Sequence, residues 1–314
     1  MSRLLKRGFV AAAILGLGAG AALADYPEKT IEVVVPYAAG GGTDTGARLL
    51  LPELEKVLGQ SMIIKNIPGA GGTVGATQFS RMKGDGYSLG FLPVGTTTTQ
   101  PHLRKLTYDD NSFEPVCLTI QDPMAVAIDP DSSIQSIDEL IAKAKDQTLS
   151  AGGPPPGSLP HIAQAAVANA YGVQFKYVPH EGGPAASKSI LGGKLDILVD
   201  PIGSAINYGL RPLVLLDGKR HASVPDLPTI DEMGGPPLRY SIWFGLFAPA
   251  GTPAEIVKQL SDACKAATTT DAYVAAVANA KRTPRFLPHD EFKTFFKQQY
   301  QANAELMSVI GLKK

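Results

Sequence analysis

Short apolar runs alternate with amphipathic stretches along most of the chain, which predicts strands alternating with helices. The first series has predicted strands at 31–35, 61–65 and 87–92, with predicted helices near 43–58 and 74–82. Because a helix separates each pair of strands, the strands of this series are expected to lie parallel in one sheet.

A second series follows two strand-like runs at 114–120 and 124–128. Its predicted strands are 148–152, 174–178, 195–200 and 213–216, and its predicted helices lie near 136–145, 161–171 and 184–191. A strand-like stretch at 240–253 then leads into three helical stretches. Two series of this kind predict an α/β protein with two lobes and a hinge between them.

The predicted lobes divide the chain into four parts. Residues 1–24 precede the lobes, 25–122 form the first part of lobe 1, 123–243 form lobe 2, and 244–314 return to lobe 1 as the C-terminal helices. The last helices have no sheet of their own, so we expect them to cover lobe 1.

The predicted helix at 43–58 carries apolar residues at helical spacing but contains Pro52. An interior proline removes a backbone hydrogen bond at a cost of about 3 kcal/mol, so a kink or a local repair is expected there. Gly59 follows the last apolar position and fits a helix stop.

Residues 1–24 have the three parts of a cleavable signal peptide. Arg3, Lys6 and Arg7 provide a basic start, an apolar segment follows from Phe9, and Ala22-Leu23-Ala24 is an A-x-A cleavage site. A membrane anchor is the alternative, but the apolar segment is short for a membrane span of about 20 residues. The mature protein is therefore expected to be soluble and periplasmic.

Charge and cysteine content narrow the function classes. The 29 basic and 29 acidic residues give a formal net charge of +0, so no strong field indicates nucleic acid or an anionic membrane as partner. Cys117 and Cys264 could pair in an exported protein, but nothing in the sequence places them within reach of each other. Buried free thiols are the favoured interpretation.

Glycine-containing loops recur between the predicted strands and helices. They are "PYAAGGGTDT" (36–45), "PGAGGTVGA" (68–76), "PVGTTTTQPH" (93–102), "SAGGPPPGSLPH" (150–161) and "PHEGGPAA" (179–186). A single loop of this kind is readily explained as a tight turn or helix cap. Five of them at the carboxyl ends of strands favour a cleft whose free backbone amides hold a carboxylate.

Other chemistries are poorly supported. The segment 69–77 lacks the Lys-Ser/Thr pair of a phosphate-binding P-loop and the third glycine of a dinucleotide motif. The five histidines have no metal-ligand spacing, so neither a cofactor nor a metal is expected. Ser158, His161 and Asp200 could form a hydrolase set, but no G-x-S-x-G elbow is present.

Seven segments together resemble the substrate-binding receptors of tripartite tricarboxylate transporters, the TctC or Bug family. They are "YPEKTIEVVVPYAAGGGTDTGARLL" (26–50), "LGQSMIIKNIPGAGGTVGA" (58–76), "DGYSLGF" (85–91), "LPHIAQ" (159–164), "LGGKLDIL" (191–198), "PDLPTIDEMG" (225–234) and "WFGLFAPAGTP" (243–253). The resemblance spans the chain after the signal peptide. It implies a type II-like Venus flytrap, two α/β lobes that close on a small carboxylate.

The resemblance also implies which residues hold the ligand. Lobe 1 would contribute Tyr37, Ala39, Gly40, Gly41, Asp44, Thr96, Thr97 and Thr98, largely through backbone groups and bridging waters. Lobe 2 would contribute Ser150, Gly152, Ser158, His161, His180, Gly182 and Asp200. Each of these residues could instead have a structural role. Tyr37 could serve only in packing, and Asp44 could cap the helix that follows it. His161 could hydrogen-bond the start of its own helix, and Asp200 could orient a loop.

The function implied is a periplasmic receptor, monomeric and not an enzyme, that delivers an organic acid to membrane permease subunits of the TctA and TctB kind. His180-Glu181-Gly182 and the three prolines at 154–156 depart from the family pattern and alter the wall that faces the distal end of the ligand. A C4–C6 dicarboxylate is favoured, with an aromatic carboxylate such as terephthalate next. A ligand sensor for a membrane kinase and a periplasmic hydrolase are the alternatives.

Overall fold

The computed structural model describes residues 26–309 of the 314-residue chain. The predicted signal peptide at 1–24 lies outside the described residues. Of the helices within 26–309, none combines the length and apolar character that crossing a membrane requires.

The secondary structure falls into three stretches. The first contains β1 (Ile31–Val35), α1 (Gly42–Leu58), β2 (Met62–Asn66), a 3₁₀ turn (Ala70–Gly72), α2 (Thr73–Phe79), β3 (Ser88–Pro93), a π-helical turn (Gly95–Thr99) and α3 (Gln100–Leu103). The second contains β4 (Phe113–Ile128), α4 (Ile137–Asp146), β5 (Leu149–Gly153), α5 (Leu159–Tyr171), β6 (Phe175–Pro179), α6 (Gly183–Leu191), β7 (Ile197–Pro201), α7 (Ile202–Asn207) and β8 (Arg211–Leu215). The third contains β9 (Ser241–Pro249), α8 (Ala254–Thr268), α9 (Asp271–Asn279), β10 (Pro284–Leu287) and α10 (His289–Val309).

The α1 helix shows how the sequence pattern sets local structure. Leu50 and Leu54 are fully buried on its inner face, as their helical spacing predicts. The helix continues through Pro52 to Leu58, and Gly59 ends it in the left-handed conformation at φ 68°. Glycine adopts that conformation without steric cost, which explains the sharp stop.

The strands form two groups joined through β4 and β9. The strand order is β2-β1-β3-β9-β4-β7-β5-β6, with β8 and β10 also paired to β4. The pairs β1–β2, β1–β3, β5–β6 and β5–β7 are parallel, as the βα series predict. The pairs that β9 makes with β3 and β4 and that β4 makes with β7 and β8 are antiparallel, so the whole sheet is mixed.

The β4 strand corrects one expectation from the sequence. The runs 114–120 and 124–128 were expected to be two strands, but they form one strand of 16 residues that includes Pro115 and Pro123. Its first part pairs with β9 and its last part with β7 and β8. One continuous strand therefore belongs to both lobes.

The C-terminal helices pack on lobe 1. The buried side chains of Leu260 and Val277, from α8 and α9, share a core with Leu50 and Leu54 of α1. The α10 helix adds Phe292 and Phe296 to a second core that includes Trp243 and Phe247 of β9.

Cys117 and Cys264 form a disulfide, so the favoured expectation of free thiols was wrong. Cys117 lies on β4 and Cys264 on α8, which packs against β4, and their Cα atoms are 6.6 Å apart. The two residues are 147 positions apart in sequence, and only the packing of α8 on the sheet brings them together.

Replacing both cysteines by alanine should lower the free energy of unfolding by about 2–4 kcal/mol, because the disulfide closes a long loop in the unfolded chain. Urea denaturation of the wild type and of Cys117→Ala/Cys264→Ala measures this difference. Denaturation with a thiol reductant serves as the control, since it should lower the wild-type midpoint and leave the double variant unchanged. Equal midpoints for the two oxidised proteins would show that the disulfide does not stabilise the fold.

Candidate ligand-binding cleft

A cleft between the lobes holds about 710 Å³ of space, part of it open to solvent. Its lining comes from three helix starts, from strand ends and from a floor formed by β9 and the segment after α9. The lining residues are Tyr37, Ala38, Gly41, Gly42, Thr43, Pro93, Gly95, Pro154, Ser158, Leu159, Pro160, Glu181, Gly182, Gly183, Pro184, Asp200, Pro201, Ser204, Tyr208, Ile242, Phe244 and Arg282.

Backbone amides at the three helix starts have no acceptor within residues 26–309. Gly42 and Thr43 at the start of α1, Leu159 at the start of α5 and Gly183 at the start of α6 all line the cleft, and none of their N–H groups donates a hydrogen bond there. The first N–H groups of a helix carry partial positive charge and have no partner inside the helix. The cleft therefore presents several free donors to a bound anion.

The glycine loop before α1 uses two of its own amides internally. The Gly40 N–H donates to Asp44 Oδ2 at 2.8 Å, and the Gly41 N–H donates to the Ala38 carbonyl at 3.2 Å. Ala39 and Gly40 are exposed and do not line the cleft. The free amides on this side belong to Gly42 and Thr43, two residues that are not among those predicted.

Asp44 supports this loop from beneath. Its carboxylate accepts hydrogen bonds from the Gly40 N–H, from Arg48 Nε at 2.8 Å and from Asn66 Nδ2 at 3.0 Å. Burial by itself raises the pKa of Asp44, but the hydrogen bonds from Arg48, Gly40 and Asn66 outweigh it and lower the pKa below its ordinary value. The ionised side chain fixes the loop and does not line the cleft.

The predicted threonine run lies outside the cleft lining. Thr96, Thr97 and Thr98 lie in the π-helical turn with fully buried side chains, and none lines the cleft. Their hydroxyls donate to backbone carbonyls: Thr96 to Gly71, Thr97 to Pro93 and Thr98 to Val94. In this structure the hydroxyls hold lobe 1 together, while the neighbouring Gly95 reaches the cleft.

Four predicted lobe 2 residues also lie outside the cleft lining, and three of them make hydrogen bonds elsewhere in lobe 2. Ser150 bonds Asp196, and the His180 ring bonds the Val178 carbonyl and the Ser189 hydroxyl. Gly152 packs beneath Leu195, where a Cβ atom would lie 2.3 Å from that side chain. His161 accepts from the Gly157 N–H at 3.3 Å, and burial lowers the pKa of its imidazole.

The imagined hydrolase set is not assembled. The buried Ser158 hydroxyl makes no hydrogen bond to His161, and the Nδ1 atom of His161 accepts from the Gly157 N–H. A nucleophile requires a base within hydrogen-bond reach, and this arrangement lacks that bond. Asp200 makes no hydrogen bond to either residue across the described range.

Five predicted residues do line the cleft. They are Tyr37, Gly41, Ser158, Gly182 and Asp200. The Tyr37 hydroxyl donates to the Gly71 carbonyl at 3.0 Å, and burial raises its pKa. The five come from both lobes: Tyr37 and Gly41 from the loop before α1, Ser158 from the loop before α5, Gly182 from the loop before α6 and Asp200 from the end of β7.

Arg282 is the main residue that the sequence analysis missed. It follows α9 in the segment "KRTPR" (281–285), where no motif or periodicity indicates a buried role. The residue is only 8% exposed, and its Nη2 atom donates to the Gly42 carbonyl at 2.8 Å and to Thr45 at 3.1 Å. Its guanidinium lies over the Phe244 ring, with 5.1 Å between Cζ and the ring centroid.

The charge of Arg282 is incompletely compensated. Its Nη1 atom is buried without a hydrogen bond in the part of the chain that is described, and it lies 3.9 Å from Asp122 Oδ2. Burial raises the pKa of Asp122 to about 6, although Arg282 and the Thr283 N–H oppose that rise. The pair therefore places a guanidinium with one unpaired nitrogen, Nη1, near the first turn of α1.

Asp200 lies at the end of β7 on the opposite wall and is 4% exposed. No donor within residues 26–309 hydrogen-bonds its carboxyl group. Burial raises the pKa of Asp200 to about 7, and Arg282 opposes the rise. The neighbouring Tyr208 hydroxyl also has its pKa raised to about 12, first by burial and then by the charge of Asp200.

The lobes touch beside the cleft. Gln100 Nε2 of lobe 1 donates to the Pro156 carbonyl of lobe 2 at 3.2 Å. Gly95 packs so closely on α5 that a Cβ atom there would lie 3.2 Å from the Leu159 nitrogen. A side chain at position 95 would therefore push the lobes apart.

Comparisons with known proteins agree with this architecture. The family model described as "Tripartite tricarboxylate transporter family receptor" matches residues 47–312. A curated relative, "UPF0065 protein in gbd 5'region" from Cupriavidus necator, is 30% identical over 321 residues and covers 99% of this chain and 98% of its own length.

Three solved structures are similar over nearly their whole length. The periplasmic binding protein BugD is 30% identical with a TM-score of 0.85, covering 92% of this chain and 100% of its own. MatC from Rhodopseudomonas palustris, with bound malate, is 29% identical with a TM-score of 0.83, and the match covers 90% of this chain and 99% of MatC. A second R. palustris protein, solved with adipate, is 26% identical with a TM-score of 0.85, and the match covers 91% of this chain and 98% of that protein.

Replacing Asp200 by asparagine should stabilise the unliganded protein in a pH-dependent way. With its pKa raised from 3.8 to about 7, the folded state holds the proton more tightly than the unfolded state does. The wild type therefore loses stability as pH rises from about 4 to about 7, and the variant avoids that loss. Above about pH 7 the variant should be more stable by about 2–4 kcal/mol, with no difference near pH 4.

Urea denaturation at a series of pH values checks this expectation. Asp146→Asn, at the exposed end of α4, is the matched control and should follow the wild type at every pH. If Asp200→Asn also followed the wild type, the carboxyl group of Asp200 would not be held in a desolvating site.

Proposed function

Because the chain belongs to the tripartite tricarboxylate transporter receptor family, we propose that it is a periplasmic receptor that captures a small organic carboxylate and presents it to membrane permease subunits. The observation that carries this proposal is the set of free amides from Gly42, Thr43, Leu159 and Gly183 around one cleft. Charge-assisted hydrogen bonds from backbone N–H groups bind a carboxylate strongly without a counter-ion.

The two-lobed form supports a capture-and-release mechanism. The donors of α1 belong to lobe 1 and those of α5 and α6 to lobe 2, so a ligand makes all its contacts only when the lobes are together. Binding then favours the closed form. The ligand's contacts with the second lobe provide the free energy that stabilises the closed form relative to the open form. A permease that distinguishes the two forms would accept only the loaded receptor, which we propose acts as a monomer.

The ligand panel follows from the sequence and from the relatives. Malate is bound in MatC and adipate in the second R. palustris protein, both of them dicarboxylates. These two structures support testing C4–C6 dicarboxylates first and aromatic acids such as terephthalate next. The prolines Pro154, Pro160 and Pro184 give the lobe 2 side of the cleft flat apolar surfaces against which an aliphatic or aromatic body could pack.

A thermal-shift screen of mono-, di- and tricarboxylates and aromatic acids tests the proposal. A ligand at 100 times its Kd should stabilise the fold by about 2.7 kcal/mol. Gly41→Val should abolish this shift, because the new side chain adds bulk at a position that lines the cleft and would place its Cβ 3.1 Å from the Ala38 carbonyl.

Gly192→Val is the matched control for that variant. Its Cβ would lie 3.2 Å from the Lys188 carbonyl, a comparably tight contact, but Gly192 is exposed at the end of α6 and outside the cleft lining. The control should keep the full shift. An unreduced shift in Gly41→Val would remove the first glycine loop from the binding site, and no shift with any acid would contradict the proposed function.

A further inference from the structure

The lobe 2 wall carries a carboxyl group with no partner. Asp200 is 96% buried, lines the cleft and accepts no hydrogen bond from any donor within residues 26–309. The glycine at position 183 leaves room for it, since a Cβ there would lie 2.6 Å from Asp200 Oδ2. A buried carboxylate that accepts no hydrogen bond is costly, so the cleft has a place for a donor that the protein does not supply.

The lobe 1 wall carries a buried cation, Arg282, which lies 3.9 Å from the acid Asp122. Arg282 contributes a buried guanidinium under α1, and the free N–H groups of Gly42 and Thr43 add partial positive charge beside it. These groups have the charge and the donors that one carboxylate of a ligand requires.

The charged and polar groups around Asp200 determine which ligand group can bind at the lobe 2 wall. Arg282 is the cation that acts on Asp200. Tyr208 and Tyr177 are neutral hydroxyls whose pKa values are raised first by burial and further by the charge of Asp200, and Glu181 adds a second acid at the exposed mouth. A dicarboxylate would place its distal carboxylate near Asp200, where the free N–H groups of Leu159 and Gly183 attract it but the charge of Asp200 in a desolvated site repels it strongly. A protonated amine would instead supply both the missing donor and the missing charge.

We infer, on the basis of the proposed carboxylate-binding function, that the cleft selects carboxylates that also carry a protonated amine. The ligand carboxylate lies at the start of α1 above Arg282, and the ammonium lies against Asp200. This charge distribution replaces the dicarboxylate favoured from the sequence with an acid whose second end is cationic.

Matched ligand pairs test the inference by calorimetric titration at about pH 8, where both the amine and Asp200 are charged. The pairs are glutarate and 4-aminobutyrate, adipate and 5-aminopentanoate, and terephthalate and 4-(aminomethyl)benzoate. In at least one pair the amino member should bind the wild type about tenfold more tightly or better, which corresponds to about 1.4 kcal/mol.

Asp200→Asn should remove that preference, lowering the affinity for the amino member about tenfold or more and raising the affinity for its dicarboxylate partner. The variant loses an unpaired buried charge, so its fold is retained. Asp146→Asn, exposed at the end of α4, should keep the wild-type preference.

Three results would overturn the inference. A dicarboxylate that binds more tightly than its amino partner at pH 8, in the wild type and in Asp200→Asn alike, shows that Asp200 does not select the ligand. A dicarboxylate that binds only below about pH 7 shows that Asp200 acts as a protonated donor to a second carboxylate. In both cases the proposed function stands, whereas the failure of every acid in the panel would contradict the proposed function as well.

Discussion

The antiparallel pairing of β4 with β9 is the constraint on which the cleft depends. The ladder runs from Phe113 opposite Pro249 to Pro123 opposite Ser241, with two local register shifts. Beyond Pro123 the same strand pairs with β7, where Ala125 lies opposite Asp200. One continuous strand therefore positions both walls of the cleft. The charged residues of these walls are held in place by hydrogen bonds between strands and not by loops alone.

The cleft contains incompletely paired buried charges, which are uncommon in folded proteins. Arg282, Asp122 and Asp200 are each more than nine-tenths buried, and Arg282 Nη1 and Asp122 Oδ2 have no hydrogen bond among the described residues. Such atoms destabilise the unliganded fold, because burial removes water and supplies no partner. Residues of this kind persist at binding sites, where a ligand completes the set of contacts.

The same residues link the cleft to the segment after α9. Arg282 donates to the Gly42 carbonyl, and Asp122 accepts from the Thr283 N–H at 2.7 Å. On the lobe 2 side, Asn207 at the end of α7 donates to the Ala280 carbonyl at 2.9 Å. The segment 280–283 therefore contacts both lobes. A change in the relative orientation of the lobes would move the guanidinium group of Arg282.

The sequence by itself determined most of the alternating strands and helices, the parallel βα units and the family resemblance, whereas α7 and β10 were not predicted. Apolar periodicity and glycine placement act over a few residues, which is why β1, α1 and the stop at Gly59 could be predicted closely. Tertiary structure decided the Cys117–Cys264 disulfide, the single β4 strand, the internal bonding of Thr96–Thr98 and the burial of Arg282. These features depend on contacts between residues far apart in sequence, and local patterns carry no information about which distant group will lie opposite.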